Sequence, residues 1–337
     1  MRKRPSRGHF DGMHAVMEVI RHHKRFLVSS HLNPEGDALG SALALASLLK
    51  RLGKKAMVAN EGGIPKSYRF FPRVAPVLSG PDPKGKVEVA MVVDVPLLSR
   101  TGTVEKLIKQ IPVLVNIDHH VSNHRFAHIN WVDPMAAAVG EMIYRLYRAF
   151  RVKPTRDEAL CLYVSLVTDT GSFRYMNTTP AVHRMAAQLI ATGVSPLRVS
   201  QVLYENRSSR DLRFLGDTLQ GIRHTPDGKI AWLEVTNRMV KAHSPGPDVQ
   251  DELVNFPRSI ESAEIAFVVR ETEEKGKIRA SLRSKGNVDV DRLARRFGGG
   301  GHKAASGCTI EGTLLEARER LLKAARQALH LTRHPSR

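Results

Sequence analysis

The sequence predicts an α/β protein of two domains: an amino-terminal doubly wound parallel sheet, then a smaller carboxy-terminal α/β domain with a mixed sheet. Three observations carry this. Short apolar runs at residues 26–30, 55–60, 87–94 and 113–117 are separated by helical or polar sequence, and each stops at a polar segment. The texture changes after residue 229, where runs at 230–235, 264–270 and 277–283 read as strands of a second sheet. A chain of 337 residues also exceeds what one small core requires.

The elements follow in order. Residues 38–52 have a strong helical pattern closed by Gly53. Asp133-Pro134 reads as an N-cap followed by proline at the first helical position, opening a helix that runs to residue 150. Thr155 and Glu158 have capping-box spacing for a helix over 156–168, and 182–192 is a helix ended by Gly193. Residues 196–223 read as a polar, charged helical connector. The domains are therefore expected at 1–195 and 226–331, with a linker at 196–225. Residues 289–297 form a helix before the loop Gly298-Gly299-Gly300-Gly301-His302, and 314–331 close the chain as an amphipathic helix. The basic stretch 1–7 and the polar end 332–337 look loose.

Lys and Arg number 52 against 33 Asp and Glu, a net charge of +19, which favours a polyanionic partner. The excess is spread along the chain, so a simple basic arm is excluded. Two cysteines cannot build a disulfide framework or a thiolate zinc site. Cys161 reads as core and Cys308 as incidental. No run approaches the ~20 apolar residues of a membrane span, and no apolar leader follows Met1-Arg2-Lys3-Arg4. The expectation is a cytoplasmic protein with no membrane partner.

Four segments carry the chemistry: His31-Leu32-Asn33-Pro34-Glu35-Gly36-Asp37, Asp94, Asp118-His119-His120, and Asp169. Each falls just after an apolar strand or helix, and ligands of such sheets sit beyond the carboxyl ends of the strands. Pro34 and Gly36 fix a tight path that can turn His31, Glu35 and Asp37 to one point. Imidazole with hard carboxylate oxygens suits Mn²⁺, Mg²⁺ or Fe²⁺. Asp169 stands at the carboxyl end of a helix, where the macrodipole disfavours an anion, and this calls for a cation. The bland readings are a loop with Asp37 capping its helix, and Asp94 as a turn residue. Glycines 298–301 lack a following Lys-Ser or Lys-Thr, so they are no triphosphate loop, although backbone N–H groups there can approach a phosphate.

These four segments resemble the motifs of the DHH phosphoesterase superfamily. Arg283-Ser284-Lys285, then Gly298 to Gly301 with His302-Lys303-Ala304-Ala305-Ser306-Gly307, resembles its associated substrate-binding domain. The resemblance covers nearly the whole chain and is most similar to stand-alone members that combine oligoribonuclease and pAp phosphatase activities. It implies two divalent cations, usually Mn²⁺, one on His31, Glu35 and Asp94 and the other on Asp37, Asp94, His119 and Asp169. Asp118 would orient His119, and His120 would face the scissile phosphate. Arg279, Arg283, Ser284, Gly299, Gly300, Gly301, His302 and Lys303 would bind the terminal nucleotide across a cleft from the metals. Arg174, five residues after Asp169, is a weaker candidate for a phosphate contact, with a surface salt bridge as the equal alternative, and a homodimer through the catalytic domain rests on analogy only. The chain departs at position 35, where Asp is usual and Glu stands. Ala136-Ala137-Ala138 also lacks the hydroxyls often found there.

The leading function is thus a two-metal phosphohydrolase acting on very short single-stranded RNA, and on pAp. Hydrolysis of c-di-AMP or linear dinucleotides is the alternative within the class. Inorganic pyrophosphatase is disfavoured by the Gly-rich segment, and a processive exonuclease by the lack of sequence for further nucleic-acid domains. A non-catalytic nucleotide- or RNA-binding protein would suit the charge, but would be expected to have lost more of the acidic and His residues.

Overall fold

In the computed structural model the described residues are 8–78 and 85–333; the basic stretch 1–7 and residues 334–337 lie outside them. The chain divides into two compact units, Met1–Glu205 and Asn206–Arg337.

The first unit is built on six parallel strands: β1 (Arg25–Ser29), β2 (Lys55–Ala59), β3 (Val77–Leu78), β4 (Val89–Val93), β5 (Val113–Asp118) and β6 (Ile129–Val132). Their order is β3-β2-β1-β4-β5-β6. The order reverses between β1 and β4, which is the point where such sheets open a crevice for ligands. Alternate residues face two cores, as both-side coverage of a parallel sheet demands. Phe26, Val28, Met91 and Ile117 face the larger core, while Leu27, Ala90, Val92 and Leu114 face the smaller. Helices α1 (Gly8–His22), α2 (Gly36–Arg51), α3 (Glu105–Ile108), α4 (Val139–Ala149), α5 (Arg156–Asp169), α6 (Pro180–Ile190) and α7 (Pro196–Tyr204) complete the unit. Strands β3 and β6 and helix α1 went unread in the sequence.

Two expectations are corrected. The helix expected to open at Pro134 begins at Val139. Asp133 instead holds a turn, accepting from Met135 N, and its other oxygen pairs with Arg145. The capping anion for α4 is Asp37, which accepts from Val139 N at 2.8 Å and Gly140 N at 3.1 Å. The capping box at Thr155 and Glu158 does form. Helix α2 packs so tightly on α5 that a side chain at Gly40 would meet the Cys161 carbonyl.

The second unit holds a mixed sheet of β7 (Arg223–His224), β8 (Ile230–Val235), β9 (Ile265–Glu271), β10 (Lys277–Ser284), β11 (Gly300–His302) and β12 (Ala305–Glu311), in the order β11-β12-β10-β9-β8-β7. Only β8 and β9 run parallel. The stretch read as one connector is two helices, α7 in the first unit and α8 (Ser209–Leu219) in the second, where Phe214 is fully buried. Helices α9 (Asn237–His243), α10 (Pro247–Glu252) and α11 (Asn255–Ser259) follow, then α12 (Val290–Arg295) and α13 (Leu314–Arg333). Residues of α8–α10 and the segment around 253–254 cover one sheet face over β8 and β9, while α12 and α13 pack on the other. Cys308, taken as incidental, is a core residue of that second face.

The Gly-rich segment is a hairpin edge and not a loop: β11 pairs with β12 across Lys303-Ala304. Backbone approach requires the glycines. A side chain at Gly301 would strike the Ala305 carbonyl, and its φ of +155° lies in the region that favours glycine. Among the described residues no helix is long and apolar enough to cross a membrane.

Candidate metal centre and substrate face

All four acidic or His-bearing segments of the first unit lie at the carboxyl edge of its sheet or at the end of α5. His31 and Asp94 follow β1 and β4, the two strands that flank the topological switch. Ligand atoms of His31, Glu35 and Asp94 lie within 4.8 Å of one another, and so do those of Asp37, His119 and Asp169.

The imidazoles of His31 and His119 are each oriented by a backbone carbonyl. His31 Nδ1 lies 2.8 Å from the Leu32 carbonyl, directing Nε2 at Glu35 (3.0 Å) and Asp94 (3.6 Å). His119 Nδ1 lies 3.1 Å from the Ala136 carbonyl, directing Nε2 at Asp169 (3.4 Å), Asp94 (3.6 Å) and Asp37 (3.9 Å). A hydrogen bond at one ring nitrogen presets the other as a ligand. The backbone of Ala136-Ala137-Ala138 thus supplies contacts where hydroxyl side chains are absent: Ala137 O also accepts from Asn177, which donates to the Asp169 carbonyl as well.

Asp94 stands between the two groups, one oxygen toward His31 and the other toward His119. It is 3% exposed, its backbone is left-handed (φ +60°), and its Oδ1 has no hydrogen-bond partner. Such an orphan is destabilising unless something positive meets it. Burial, then the neighbouring Asp37 carboxylate, pushes its carboxyl well above the ordinary range, and the same two causes raise Asp169. Burial opposes charge on His31, but Glu35 and Asp94 overcome it and hold the imidazole well above its usual value. Enclosure likewise opposes charge on Glu35, and His31 lowers it strongly. Glu35 remains half exposed, reaching in from the α2 N-cap position on its longer side chain. A set of carboxylates with too few protons or partners, completed by two preset imidazoles, fits hard divalent cations.

Asp37 is stabilised differently. Besides the α4 N-terminus it accepts from Ser41 and from Ser165. Ser165 and Ser41 were missed in the sequence because they lie inside apolar helices, where no local signal separates them from packing residues.

The DHH-like segment differs from expectation in one role. Asp118 accepts from His120 Nδ1 at 2.8 Å, not from His119. Residues two apart beyond a strand project to the same side, and the one between points away. Asn123 donates to the second Asp118 oxygen and to Asn116 Oδ1, and Asn116 donates to the Val92 and Val95 carbonyls. Burial opposes the Asp118 charge, but His120 and Asn123 hold its carboxyl below the usual range. Asn123 was also missed; its position five residues after Asp118 in a turn was the available signal. Arg174 donates Nε to the Gly171 carbonyl.

In the second unit the pairing register collects the expected contact residues on one sheet face. One row across the sheet is His302, Ala305, Arg283 and Ala266. The next is Gly300, Gly307, Ser281 and Val268. Over β10, β12 and β11 this face has small or polar residues and is open to varying degrees. Ser284 points to the opposite, buried side and donates to the Val288 carbonyl. Gly299 and Gly301 serve backbone packing, and Gly301 N donates to Asp291. Lys303 sits at the hairpin tip.

Residues 25–166 match the DHH family, N-terminal domain, and residues 237–331 match the DHHA1 domain. The chain is 32% identical to the bifunctional oligoribonuclease and PAP phosphatase NrnA of Thermus thermophilus, over 96% of this chain and 97% of that one. It is 27% identical to the Bacillus subtilis protein of the same name, over 88% and 92%. Its fold is similar to that of an exopolyphosphatase-related protein from Bacteroides fragilis, with a TM-score of 0.85 at 24% identity, covering 99% of this chain and 100% of that one.

Proposed function

The chain belongs to the DHH phosphoesterase family, and from that premise we propose that it hydrolyses very short RNA to mononucleotides and removes a phosphate from pAp, using two Mn²⁺ ions. The likeness to the Thermus protein across both units carries the substrate reading. The buried Asp94 Oδ1, which has no hydrogen-bond partner among the described residues, supports the metals. His31, Glu35 and Asp94 would hold one ion, and Asp37, Asp94, His119 and Asp169 the other. Bound there, two divalent cations polarise a phosphoryl group and make water a competent nucleophile near neutral pH.

The protein's own groups do the rest. Asp94, with one oxygen toward His31 and the other toward His119, would serve both sites. Asp118, kept ionised by His120 and then Asn123, accepts from Nδ1 of His120 and so turns Nε2 outward, where the doubly protonated ring would donate to a phosphoryl oxygen. Arg283 and His302 share one row of the second sheet and bind the nucleotide's phosphate and base. A cytoplasmic location, where short RNA is generated, is part of the same reading.

The test is incubation with Mn²⁺ and end-labelled RNAs from dinucleotide to pentanucleotide, beside pAp and c-di-AMP. Cleavage of the dinucleotide and of pAp is expected. Cleavage of c-di-AMP alone would move the chain to the cyclic-dinucleotide class, and no cleavage of any would overturn the reading.

A further inference from the structure

The face of the second sheet that is open over β10–β12 and covered by helices over β8 and β9 carries a third row, at the border between the open and covered parts. It runs Thr309, Arg279, Arg270, Val235, one step beyond the glycine row. Arg279 and Arg270 are direct partners in the antiparallel β9–β10 ladder, so two arginine side chains leave the same sheet face as cross-strand neighbours. Like charges at that spacing are destabilising. Arg270 is partly buried and donates to Gln250 Oε1 at 2.6 Å, and among the described residues no carboxylate forms an ion pair with Arg270 or Arg279. Asp251 is the nearest acidic influence on Arg270, while burial and Arg279 both disfavour its charge. Arg279 is exposed. Two guanidinium groups held together this way fit an oxyanion between them, since their forks match phosphate oxygens bidentately.

The register also gives the spacing. Arg279 lies four residues from Arg283 along one strand, about 13 Å at ~3.3 Å per residue. Between them Ser281 is flanked by Gly307 and Gly300, a floor without bulky side chains. The face therefore has two basic ends and a flat middle.

We infer that Arg270 and Arg279 form a second phosphate subsite, which binds an additional phosphate group of a short oligonucleotide whose other end lies at Arg283 and His302. This rests on the short-RNA reading above, and deepens it: the second unit would distinguish a 5′-phosphorylated dinucleotide from one lacking that phosphate.

The experiment measures dissociation constants of the full-length protein in EDTA for pApA and ApA, by calorimetry. Wild type is expected to prefer pApA by about tenfold, the worth of one charge-assisted phosphate contact. Arg279→Gln and Arg270→Gln should abolish that ratio, Arg279→Lys should retain part of it, and Arg283→Gln should weaken both ligands while keeping it. Arg279 is exposed, so its variants carry the test if Arg270→Gln fails to fold. A wild type with no preference, or a ratio unchanged in the Arg279 variants, overturns the subsite. Failure to hydrolyse either dinucleotide in Mn²⁺ would instead overturn the short-RNA reading, and the binding ratio still decides the subsite.

Discussion

Under the proposed function the two units would hold a phosphate in opposite ways. The first gathers Glu35, Asp37, Asp94 and Asp169 with two imidazoles at a sheet edge, an arrangement that repels phosphate until cations enter. The second presents Arg279, Arg283 and His302 on an open sheet face, where guanidinium groups would meet a phosphate directly. The difference teaches where rigidity is needed. In the first unit His31 and His119 are preset by backbone carbonyls and Asp37 by a helix N-terminus, all of them buried, whereas the basic residues stand on a surface with small neighbours. Positioning of reacting atoms demands the first; tolerant gripping of a nucleotide accepts the second.

The comparison breaks most visibly at Asp94. Asp94→Asn should lower kcat by on the order of 10²–10³-fold or more, since it removes the charge shared by both ion sites. The same variant should raise the Tm of metal-free protein, because it replaces an orphaned buried carboxyl by a neutral group. Calorimetry in EDTA checks this, and a lower Tm would contradict the idea that the edge is frustrated without cations.

Asn123→Ala should reduce kcat by about 10–100-fold with little change in KM, as expected when an orienting partner is lost. Asn123→Asp should not restore it, because a second carboxylate beside Asp118 repels it. In the second unit, Arg283→Gln should raise KM about tenfold and leave the number of bound ions unchanged. An equal fall in metal content would erase the division of labour.

The smallest effect is in pH. In metal-free protein Asp94, Asp169 and His31 all have folded pKa values above their unfolded ones. The folded state therefore binds more protons than the unfolded state, and stability falls as pH rises through those folded values. Tm in EDTA should rise as pH drops from about 8 to about 5. Below about 4.5 the trend should reverse, because Glu35 and Asp118 have lowered folded values and lose their contribution as they protonate. With Mn²⁺ bound, the upper part of the profile should flatten.

Much of this was legible in the sequence because strands of a buried parallel sheet are short apolar runs, and the polar residue that ends each one is where a ligand must sit. His31, Asp94 and Asp118 follow from that rule. What could not be read depends on distant partners. The α4 start was misplaced because its cap, Asp37, is supplied from another helix, and the local Asp133-Pro134 signal is spent on a turn. Asp118 was assigned to the wrong imidazole because adjacency in sequence is not adjacency in space. Ser284 and Arg270 exchange expected importance once the register of β10 is known: the first turns inward and the second faces Arg279.

The central claim is that the acidic edge is a two-cation site, and metal content measures it most directly. Wild-type protein dialysed against Mn²⁺ should retain two ions per chain by mass spectrometry, and Asp94→Asn should retain one or none. A wild type that holds no ions, or an Asp94→Asn variant that still holds two, would contradict the account.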